Sequence, residues 1–175
     1  TRVLQAHFDQ SNFLVEIHQC FLDLVVSGTA SLAFEEGEPG DLSAFQFTAL
    51  PMSDVSFLEG QDGYLDLVFR EMSLNSVRIG ERYNYSETSL SPDQSYDVIE
   101  CVLPMRDGKG FVFIAYLKDT LEVLSIRKLS QSPYINFRWM KSPGEVYGRS
   151  PVMKALPDIK TANKVVELIL KNASI

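Results

Sequence analysis

The chain has 175 residues, of which 45% are apolar and 22% are charged, and its formal net charge is -7. This composition is typical of a globular protein with one domain or two small ones, and it excludes wholesale disorder. The two cysteines are too few for a disulfide scaffold or a multi-cysteine zinc site. No apolar run approaches the roughly 18 residues that are needed to span a bilayer.

The charge is unevenly distributed along the sequence. Residues 1–70 carry eleven acidic and two basic side chains, whereas residues 127–175 carry nine basic and three acidic ones. An acidic surface repels a phosphate backbone, which argues against tight DNA binding by the first segment. Two interpretations stay open: both surfaces are simply solvated, or the acidic part of one copy meets the basic part of another.

The first part of the chain is predicted to be a helix followed by strands. Residues 12–27 have apolar positions at helical spacing, and Gly28 suits the left-handed conformation that ends many helices. Residues 3–9 form an earlier turn or continue that helix. Residues 29–34 then have the composition of a strand, and a further short strand is predicted at residues 45–47.

The middle of the chain is predicted to be antiparallel β structure. Two extended runs, 54–59 and 64–70, flank an Asp-Gly turn as in a hairpin. The clearest signal is in residues 96–129, where three short apolar runs separated by turns predict a meander. A strand at 134–140 follows. Residues 75–95 are polar, and we interpret them as a loop or an edge segment.

The last part of the chain is predicted to be helical. Ser150-Pro151 is a strong helix start, because a capping hydroxyl precedes a proline at the first helical position. Pro157 is expected to end this helix after two turns at most, and Asp158 then places a negative charge in the first turn of a second helix over 158–174. The order of elements predicts an α+β fold: an N-terminal helix, antiparallel β hairpins and a meander, and C-terminal helices.

The sequence carries no recognisable catalytic or metal-binding motif. It has no glycine-rich phosphate loop followed by Lys-Ser/Thr and no Gly-x-Ser-x-Gly elbow. His7 and His18 are eleven residues apart, on roughly one face if their helix is continuous, but no third ligand accompanies them. Cys20 and Cys101 are interpreted as small buried apolar residues. We therefore predict no catalytic residue, no cofactor and no metal site.

Two further segments each have a functional and a plain structural interpretation. The carboxylates at positions 35, 36, 38 and 41 imitate a calcium loop but lack its alternate spacing and its distal glutamate, which favours a solvated acidic turn. Trp139, with Arg138, Lys141 and Tyr134 nearby, suggests aromatic and basic contacts to nucleic acid. The favoured interpretation there is a strand with core aromatics and outward charges.

The end of the sequence also carries a family resemblance. Residues 133–174 contain Arg138-Trp139, the run Pro143-Gly144-Glu145-Val146-Tyr147-Gly148-Arg149-Ser150-Pro151, and then Ala155-Leu156-Pro157-Asp158-Ile159-Lys160-Thr161 with Asn163-Lys164. Together with Ser11-Asn12-Phe13, residues 23–30 and the hairpin at 60–70, these motifs resemble the head-to-tail connector, or portal, family of short-tailed bacteriophages and prophages. The sequence departs from the family at residues 75–95, where the family usually carries a helix.

The resemblance implies a structural role in a virus particle. Portal proteins form rings, usually dodecameric, at one capsid vertex, and double-stranded DNA is packaged and ejected through the central channel. Their partners are the terminase, the capsid and tail adaptor proteins; the ring itself is not an enzyme, has no cofactor and has no membrane role. Such a protein is expected in the virion at the portal vertex, and in the host cytoplasm during assembly.

By the same resemblance, residues 1–140 match the portal wing, and residues 141–175 match a joint loop and the start of the stem helices. The chain begins at Thr1 without a methionine and stops within a helical run that has no stop signal. We therefore expect it to be a fragment of a longer polypeptide, with the clip and crown beyond Ile175. The alternative function is a β-rich protein-binding module unrelated to DNA translocation, and a hydrolase with a scattered active site is more remote.

The resemblance also gives candidate functional residues. A structural joint is expected from the following residues: Pro143, Gly144, Glu145, Tyr147, Gly148, Arg149, Ser150, Pro151, Pro157 and Asp158. Within it, Gly144 and Gly148 are expected to adopt backbone angles closed to other residues, and Glu145 is expected to pair with Arg149. Three lysines, Lys160, Lys164 and Lys171, are candidates for subunit contacts or for lining the DNA channel, with a solvated helix face as the third interpretation.

Overall fold

The computed structural model describes residues 2–37, 40, 42–60, 62–85, 90–91, 94–106 and 108–173. Within them lie the following elements in chain order: α1 (Arg2–Gln10), α2 (Phe13–Ser27), β1 (Thr29–Glu36), β2 (Phe45–Leu50), β3 (Val55–Leu58), β4 (Leu67–Asn75), α3 (Ser76–Tyr83), β5 (Ser95–Pro104), β6 (Phe111–Leu117), β7 (Val123–Leu129), β8 (Tyr134–Arg138) and α4 (Pro151–Ala173). The predicted α+β fold, with helices at both ends of a β-rich part, is confirmed.

The strands form two antiparallel sheets. The first has the order β2-β1-β8, and the second has the order β3-β4-β5-β6-β7. The predicted hairpin is β3-β4, paired from Val55 opposite Arg70 to Leu58 opposite Leu67. The predicted meander is β5-β6-β7. The strand at 134–140 is shorter than expected, since β8 ends at Arg138 and pairs with β1 in the first sheet.

The first sheet is the middle layer of the molecule, because alternate side chains of β1 enter two different cores. Leu32 packs on the side of α2, in a cluster with Cys20 and Phe47. Its neighbour Ala33 points the other way, into the large core of the second sheet around Val68. This alternation is the period of two that a strand imposes, so β1 is apolar at successive positions.

The N-terminal helix is divided in two at residues 11–12. The side-chain amide of Asn12 donates to the carbonyl oxygen of Phe47 at 2.7 Å, and its Oδ1 accepts from the Phe47 amide at 2.9 Å. Asn12 thereby pairs with β2 as a neighbouring strand would. His7 lies on α1 and His18 on α2, so the continuous helix that would place both on one face is not formed.

The interpretation of residues 75–95 as a loop or edge segment was wrong for 76–83, which form α3. Asn75 caps this helix, its Oδ1 accepting from the Arg78 amide at 3.0 Å. Ile79 and Tyr83, four residues apart on one face, are buried. Two buried positions in a polar segment are too few to show a helical period in the sequence, and the second sheet supplies the missing partner surface.

The prediction that Pro157 divides the C-terminal segment into two helices was also wrong, since α4 runs through it from Pro151 to Ala173. The fixed φ of proline is itself helical, and the missing amide removes only the hydrogen bond that would reach the carbonyl of Met153. Asp158 consequently lies about two turns inside α4 and not in a first turn, where a carboxylate would interact favourably with the helix dipole.

The other sequence expectations for the turns and cysteines have these outcomes. β1 continues through Glu36, while positions 38, 39 and 41 of the acidic segment and Asp107 of the meander turn lie outside the described residues. The two cysteines, Cys20 and Cys101, are free and buried, as predicted from the sequence. Burial, reinforced by the nearby Asp23 and Glu16 charges, raises the pKa of Cys20 to about 11, so its thiol stays protonated.

A buried carboxylate joins α3 and the two sheets. Glu100, on β5, is completely inaccessible to solvent. Its Oε1 accepts from Arg82 Nε of α3 and from the Tyr83 hydroxyl, both at 2.8 Å. Its Oε2 accepts from the Tyr134 hydroxyl of β8 at 2.8 Å, and Arg70 of β4 lies 3.7 Å away. Three elements, α3, β4 and β8, therefore converge on one carboxylate of β5.

The ionisation of Glu100 is set by opposing effects. Burial disfavours the charged form, but the positive charge of Arg82 and the hydrogen bonds from Arg82, Tyr134 and Tyr83 outweigh it and lower the pKa of Glu100. Burial and the nearby Glu100 charge raise the pKa of Tyr134, which keeps its hydroxyl a hydrogen-bond donor. The cluster is thus a charged carboxylate held by neutral and cationic donors.

We predict that Glu100→Gln lowers the free energy of unfolding by about 3 kcal/mol at pH 7, because it removes the negative charge opposite Arg82 and places an amide NH₂ donor against a donor where a carboxylate oxygen accepted. Urea denaturation followed by circular dichroism measures this. Glu35→Gln is the matched control, since Glu35 contacts the same Arg82 at 3.1 Å from an exposed position and should cost far less. Equal losses in the two variants would contradict the prediction.

The pH dependence follows from the direction of the Glu100 shift. Because its pKa is lower in the folded state than the roughly 4.3 of an unfolded glutamate, its contribution is fully present above that value and is lost as the pH falls through the folded-state pKa. The difference in unfolding free energy between the wild type and Glu100→Gln should therefore shrink below pH 4. Urea titrations between pH 7 and pH 3 measure it, and a constant difference would refute the assignment.

Candidate functional site

The connection between β8 and α4 is the candidate site, because it contains most of the joint residues expected from the sequence. It begins with Trp139, whose amide donates to the carbonyl oxygen of Gly28 at 2.9 Å. It returns at Gly148, whose amide donates to Oγ1 of the buried Thr29 at 2.8 Å. Both ends of the loop are thus fixed to the two residues that link α2 to β1.

At this point two backbone segments touch. A Cβ atom built on Gly148 would lie 2.1 Å from the Gly28 carbonyl oxygen, and one built on Gly28 would lie 2.4 Å from the Gly148 carbonyl oxygen. Gly28 also has φ 80°, the left-handed conformation that ends α2, and its amide donates to Leu24 at 3.0 Å. Neither glycine leaves room for a side chain.

The expected reason for the joint glycines is confirmed for Gly144 and wrong for Gly148. Gly144 has φ 80° in open space, so the conformation is what favours glycine there. Gly148 does not have a positive φ; it is required because Gly28 and Arg138 press against it. Close approach of backbones depends on a partner far away in sequence, which the motif alone did not reveal.

Arg138 holds the loop from within, a role that the sequence analysis did not find. Its guanidinium donates to the carbonyl oxygens of Gly63 at 2.6 Å and Val146 at 2.9 Å, and to Oε2 of Glu59 at 3.3 Å. Glu59 also pairs with Lys141. The hydrogen bond from Lys141, helped by Arg138, lowers the pKa of Glu59. The turn of the β3-β4 hairpin is therefore tied to the loop before α4.

This arrangement corrects the expected surroundings of Trp139. Arg138 does not point outward, since its side chain is only 12% exposed. Tyr134 is a core residue, as expected, but Trp139 is 53% exposed. The indole lies outside because β8 ends at Arg138 and the chain turns at the contact with Gly28.

Other joint residues behave as the sequence predicted. Arg149 pairs with Glu145 through two hydrogen bonds, at 2.8 and 2.6 Å, and this contact lowers the pKa of Glu145. Ser150 is buried, and its Oγ accepts from the Met153 amide at 3.0 Å, as a helix cap does. Pro151 is the first residue of α4. The exposed Glu145–Arg149 pair orders the turn, whereas the buried contacts fix its position.

The remaining joint residues lie on the surface of the loop or in α4. The Tyr147 hydroxyl accepts from the Phe57 amide at 3.3 Å, and the two rings are 5.9 Å apart, edge to face. Pro143 and Gly144 border a shallow cleft of about 610 Å³ together with Glu59 and Lys141. Pro157 and Asp158 lie in α4, beyond the loop.

The three candidate lysines are all exposed on α4. Lys164 and Lys171 both pair with Glu167, at 3.0 and 2.6 Å, and these contacts lower the pKa of Glu167. Lys160 lies on the same side of the helix, one turn before Lys164. Because Glu167 offsets part of their charge, the side of α4 that carries these lysines is less positive than the three lysines alone would make it.

Within the described part of the chain, no three histidine, cysteine, aspartate or glutamate side chains come together as a metal site would require. The same residues contain no helix with the length and apolarity needed to cross a bilayer. The geometry therefore provides a rigid connection that joins the two sheets to the projecting helix α4.

The sequence model of a family described as "Bacteriophage head to tail connecting protein" matches residues 1–175. A search of curated proteins found no match for the chain.

We predict that Gly148→Ala lowers the free energy of unfolding by about 3 kcal/mol, because the added methyl group forces the Gly28 and Gly148 backbones apart. Gly144→Ala is the matched control in the same loop and should cost about 1 kcal/mol for its left-handed conformation alone. Chemical denaturation of both variants measures the difference. A smaller loss for Gly148→Ala than for Gly144→Ala would contradict the close contact.

Proposed function

Since the chain belongs to the family of bacteriophage head to tail connecting proteins, we propose that its parent protein is a structural portal. In this proposal, copies of the protein form a ring at one capsid vertex, and double-stranded DNA passes through the ring during packaging and ejection. The observation that carries the proposal is the family match, which spans all 175 residues. The chain contributes shape to the ring and no chemical step.

The form of α4 supports a division into wing and stem. The helix has 23 residues, about 34 Å at 1.5 Å per residue, and all of its residues from Met153 onward are exposed. A helix that leaves a folded body in this way needs partners outside that body. We assign residues 1–140 to the wing and residues 141–175 to the joint and the start of the stem.

The joint residues are proposed to set the angle at which α4 leaves the wing. Support comes from the backbone contact at Gly28 and Gly148 and from the three interactions of Arg138, which fix the loop at both ends. A fixed angle matters because a ring closes only when every copy makes the same rotation to the next.

A protein that connects head to tail lies in the virion and contacts other head and tail proteins. The finer expectations are a homo-oligomeric ring, usually dodecameric in the family, contacts with the terminase, the capsid and the tail adaptors, and assembly in the host cytoplasm. The net charge of -7 supports passage of DNA without tight binding, because few phosphates are neutralised.

The test of this function is the mass and shape of the full-length protein. We expect native mass spectrometry to give a multiple of the subunit mass, and negative-stain electron microscopy to show an annulus with a central hole. A protein that stays monomeric at micromolar concentration in both measurements would contradict the proposal.

We predict that the triple reversal of Lys160, Lys164 and Lys171 to glutamate weakens ring assembly and shifts the salt dependence of ring mass. The reason is that a positive stripe on α4 would lose its attraction for an acidic surface of the next copy. Mass measurements from 50 to 500 mM salt check this. Lys128→Glu, an exposed reversal on β7, is the control. Intact rings that fail only in DNA packaging would instead indicate channel-lining lysines.

A further inference from the structure

The two antiparallel sheets have four edge strands, which are β2 and β8 in the first sheet and β3 and β7 in the second. Along the outer side of an edge strand, alternate residues direct their backbone N–H and C=O groups away from the sheet, where no ladder partner meets them. An edge left in this state pairs readily with a further strand, so proteins usually cap it. The four edges of this protein differ in how far side chains cap them.

At β2, side chains from the neighbouring helix and turn occupy the outward amides. The Phe45 amide donates to the Ser43 hydroxyl at 3.1 Å, and the Ala49 amide donates to Oε2 of Glu16 at 2.7 Å. Between them lies the pair that Asn12 forms with the middle of the strand. This edge is therefore closed to another strand.

The edges of β3 and β8 are capped as well. The Phe57 amide of β3 donates to the Tyr147 hydroxyl at 3.3 Å. At the start of β8, the Ser132 hydroxyl accepts from the Tyr134 amide at 3.2 Å and donates to the carbonyl oxygen of the same residue at 3.3 Å. These two strands are also short, with four and five residues, which by itself limits pairing at an edge.

The direction of the backbone groups of β7 follows from the hydrogen bonds of β6. Directly after β6, the Lys118 amide donates to the Asp97 carbonyl oxygen of β5 at 2.8 Å. The Leu117 amide, at the end of β6, instead donates to the Glu122 carbonyl oxygen just before β7 at 2.9 Å. Because backbone groups alternate along an antiparallel strand, the odd-numbered residues of β6 bond toward β7.

Two residues of β7 consequently point their backbone groups away from the sheet. The odd-numbered residues of β6 lie opposite odd-numbered residues of β7, as in the pair of Phe113 with Arg127. The N–H and C=O groups of Ile126 and Lys128 are therefore the outward ones. Within the described part of the chain, no strand lies beyond β7 and no side chain bonds to these groups. With seven residues, β7 is an open edge of ordinary strand length.

The open edge is basic on both faces of the sheet. Arg127 lies on the inner face, where its guanidinium is 4.6 Å from the centre of the Phe113 ring. Lys128, the next residue along the strand, lies on the other face. Both are exposed, β7 contains no acidic residue, and among the described residues neither cation has a carboxylate at ion-pair distance. These charges oppose pairing with a second basic strand and favour an acidic one.

Space for the side chains of an added strand lies beside the inner face of β7. A cleft of about 870 Å³ is bordered there by Arg127 and Leu129. The acidic residues that line it lie on other elements, Glu35 and Glu36 on β1 and Glu81 on α3, so the side formed by β7 carries positive charge only. Because successive side chains of a strand alternate between faces, every second residue of an added strand would point toward this cleft.

We propose that the outer edge of β7 docks an extended acidic segment of a partner protein, which adds to the second sheet as a sixth strand. The backbone of the segment bonds to the outward groups of Ile126 and Lys128, and two adjacent acidic side chains on opposite faces reach Arg127 and Lys128. Another copy of this chain does not supply the strand, because β2, β3 and β8 are capped and two β7 edges would bring like charges together. The inference goes beyond the proposed ring and does not depend on it.

Peptide binding to the full-length protein tests the docking edge. The probe is a fluorescein-labelled heptapeptide, Thr-Val-Thr-Glu-Glu-Val-Thr, which matches the length of β7. The control peptide has two lysines in place of the two glutamates. Fluorescence anisotropy should show saturable binding of the acidic peptide, with the lysine peptide weaker by about tenfold.

Two variants separate backbone pairing from charge. Ile126→Pro removes an outward amide that the ladder with β6 does not use, and proline is tolerated at such edge positions. It should weaken binding of the acidic peptide by about tenfold, whereas the matched Ile126→Val should not. Arg127→Glu/Lys128→Glu should reverse the preference, so that the lysine peptide binds better, and it tests the edge even where the proline variant fails to fold. Circular dichroism and the mass of the assembly should be those of the wild type.

Other results would overturn the inference in distinguishable ways. Equal binding of the two peptides by the wild type would exclude an acidic occupant. Unchanged binding by a folded Ile126→Pro would show that no strand is added at this edge. No saturable binding up to millimolar peptide would mean that solvent alone covers the edge. Self-association of the wild type that Ile126→Pro abolishes would assign the edge to a second copy. A monomeric full-length protein that binds the acidic peptide selectively would refute the proposed ring and support the docking edge.

Discussion

The contact between Gly28 and Gly148 fixes how the helical and β parts of this protein are joined. One glycine ends α2, the other precedes α4, and their backbones are too close for any side chain between them. The amides of Trp139 and Gly148 are bonded to the same short segment, residues 28–29. The direction in which α4 leaves the body therefore depends on a contact between two segments 120 residues apart in sequence, and not on the loop alone.

The Glu100 cluster complements this contact inside the body. A buried carboxylate is costly unless it is fully paired, and replacing such clusters by apolar residues often leaves stability unchanged. What the cluster provides is directional geometry: α3, β4, β5 and β8 must all be in place before Glu100 is satisfied. Arg138 acts in a similar way at the other end of β8, where it joins the β3-β4 hairpin to the loop. The two networks together hold the hairpin, the helix α3 and both sheets in one fixed arrangement.

The interior of the protein covers its apolar residues, but part of its surface does not. The cores on both sides of the first sheet are closed, whereas α2 and α4 expose apolar residues that an isolated soluble protein normally buries. For a member of a connector family, such surfaces are consistent with a subunit whose stable state is an assembly. The loop between β8 and α4 lies between these two exposed helices, and its ends are fixed by the Gly28–Gly148 contact.

Local patterns in the sequence determined the strands, the β3-β4 hairpin, the meander, the Ser150 cap, the buried cysteines and the pairing of Glu145 with Arg149. These features depend on alternation, turn chemistry or residues a few positions apart, so one segment contains the needed information. Tertiary structure alone decided the formation of α3, the inward side chain of Arg138 and the requirement for glycine at 148. Each of these depends on a partner distant in sequence: a sheet under Ile79, a hairpin carbonyl, or another glycine's backbone.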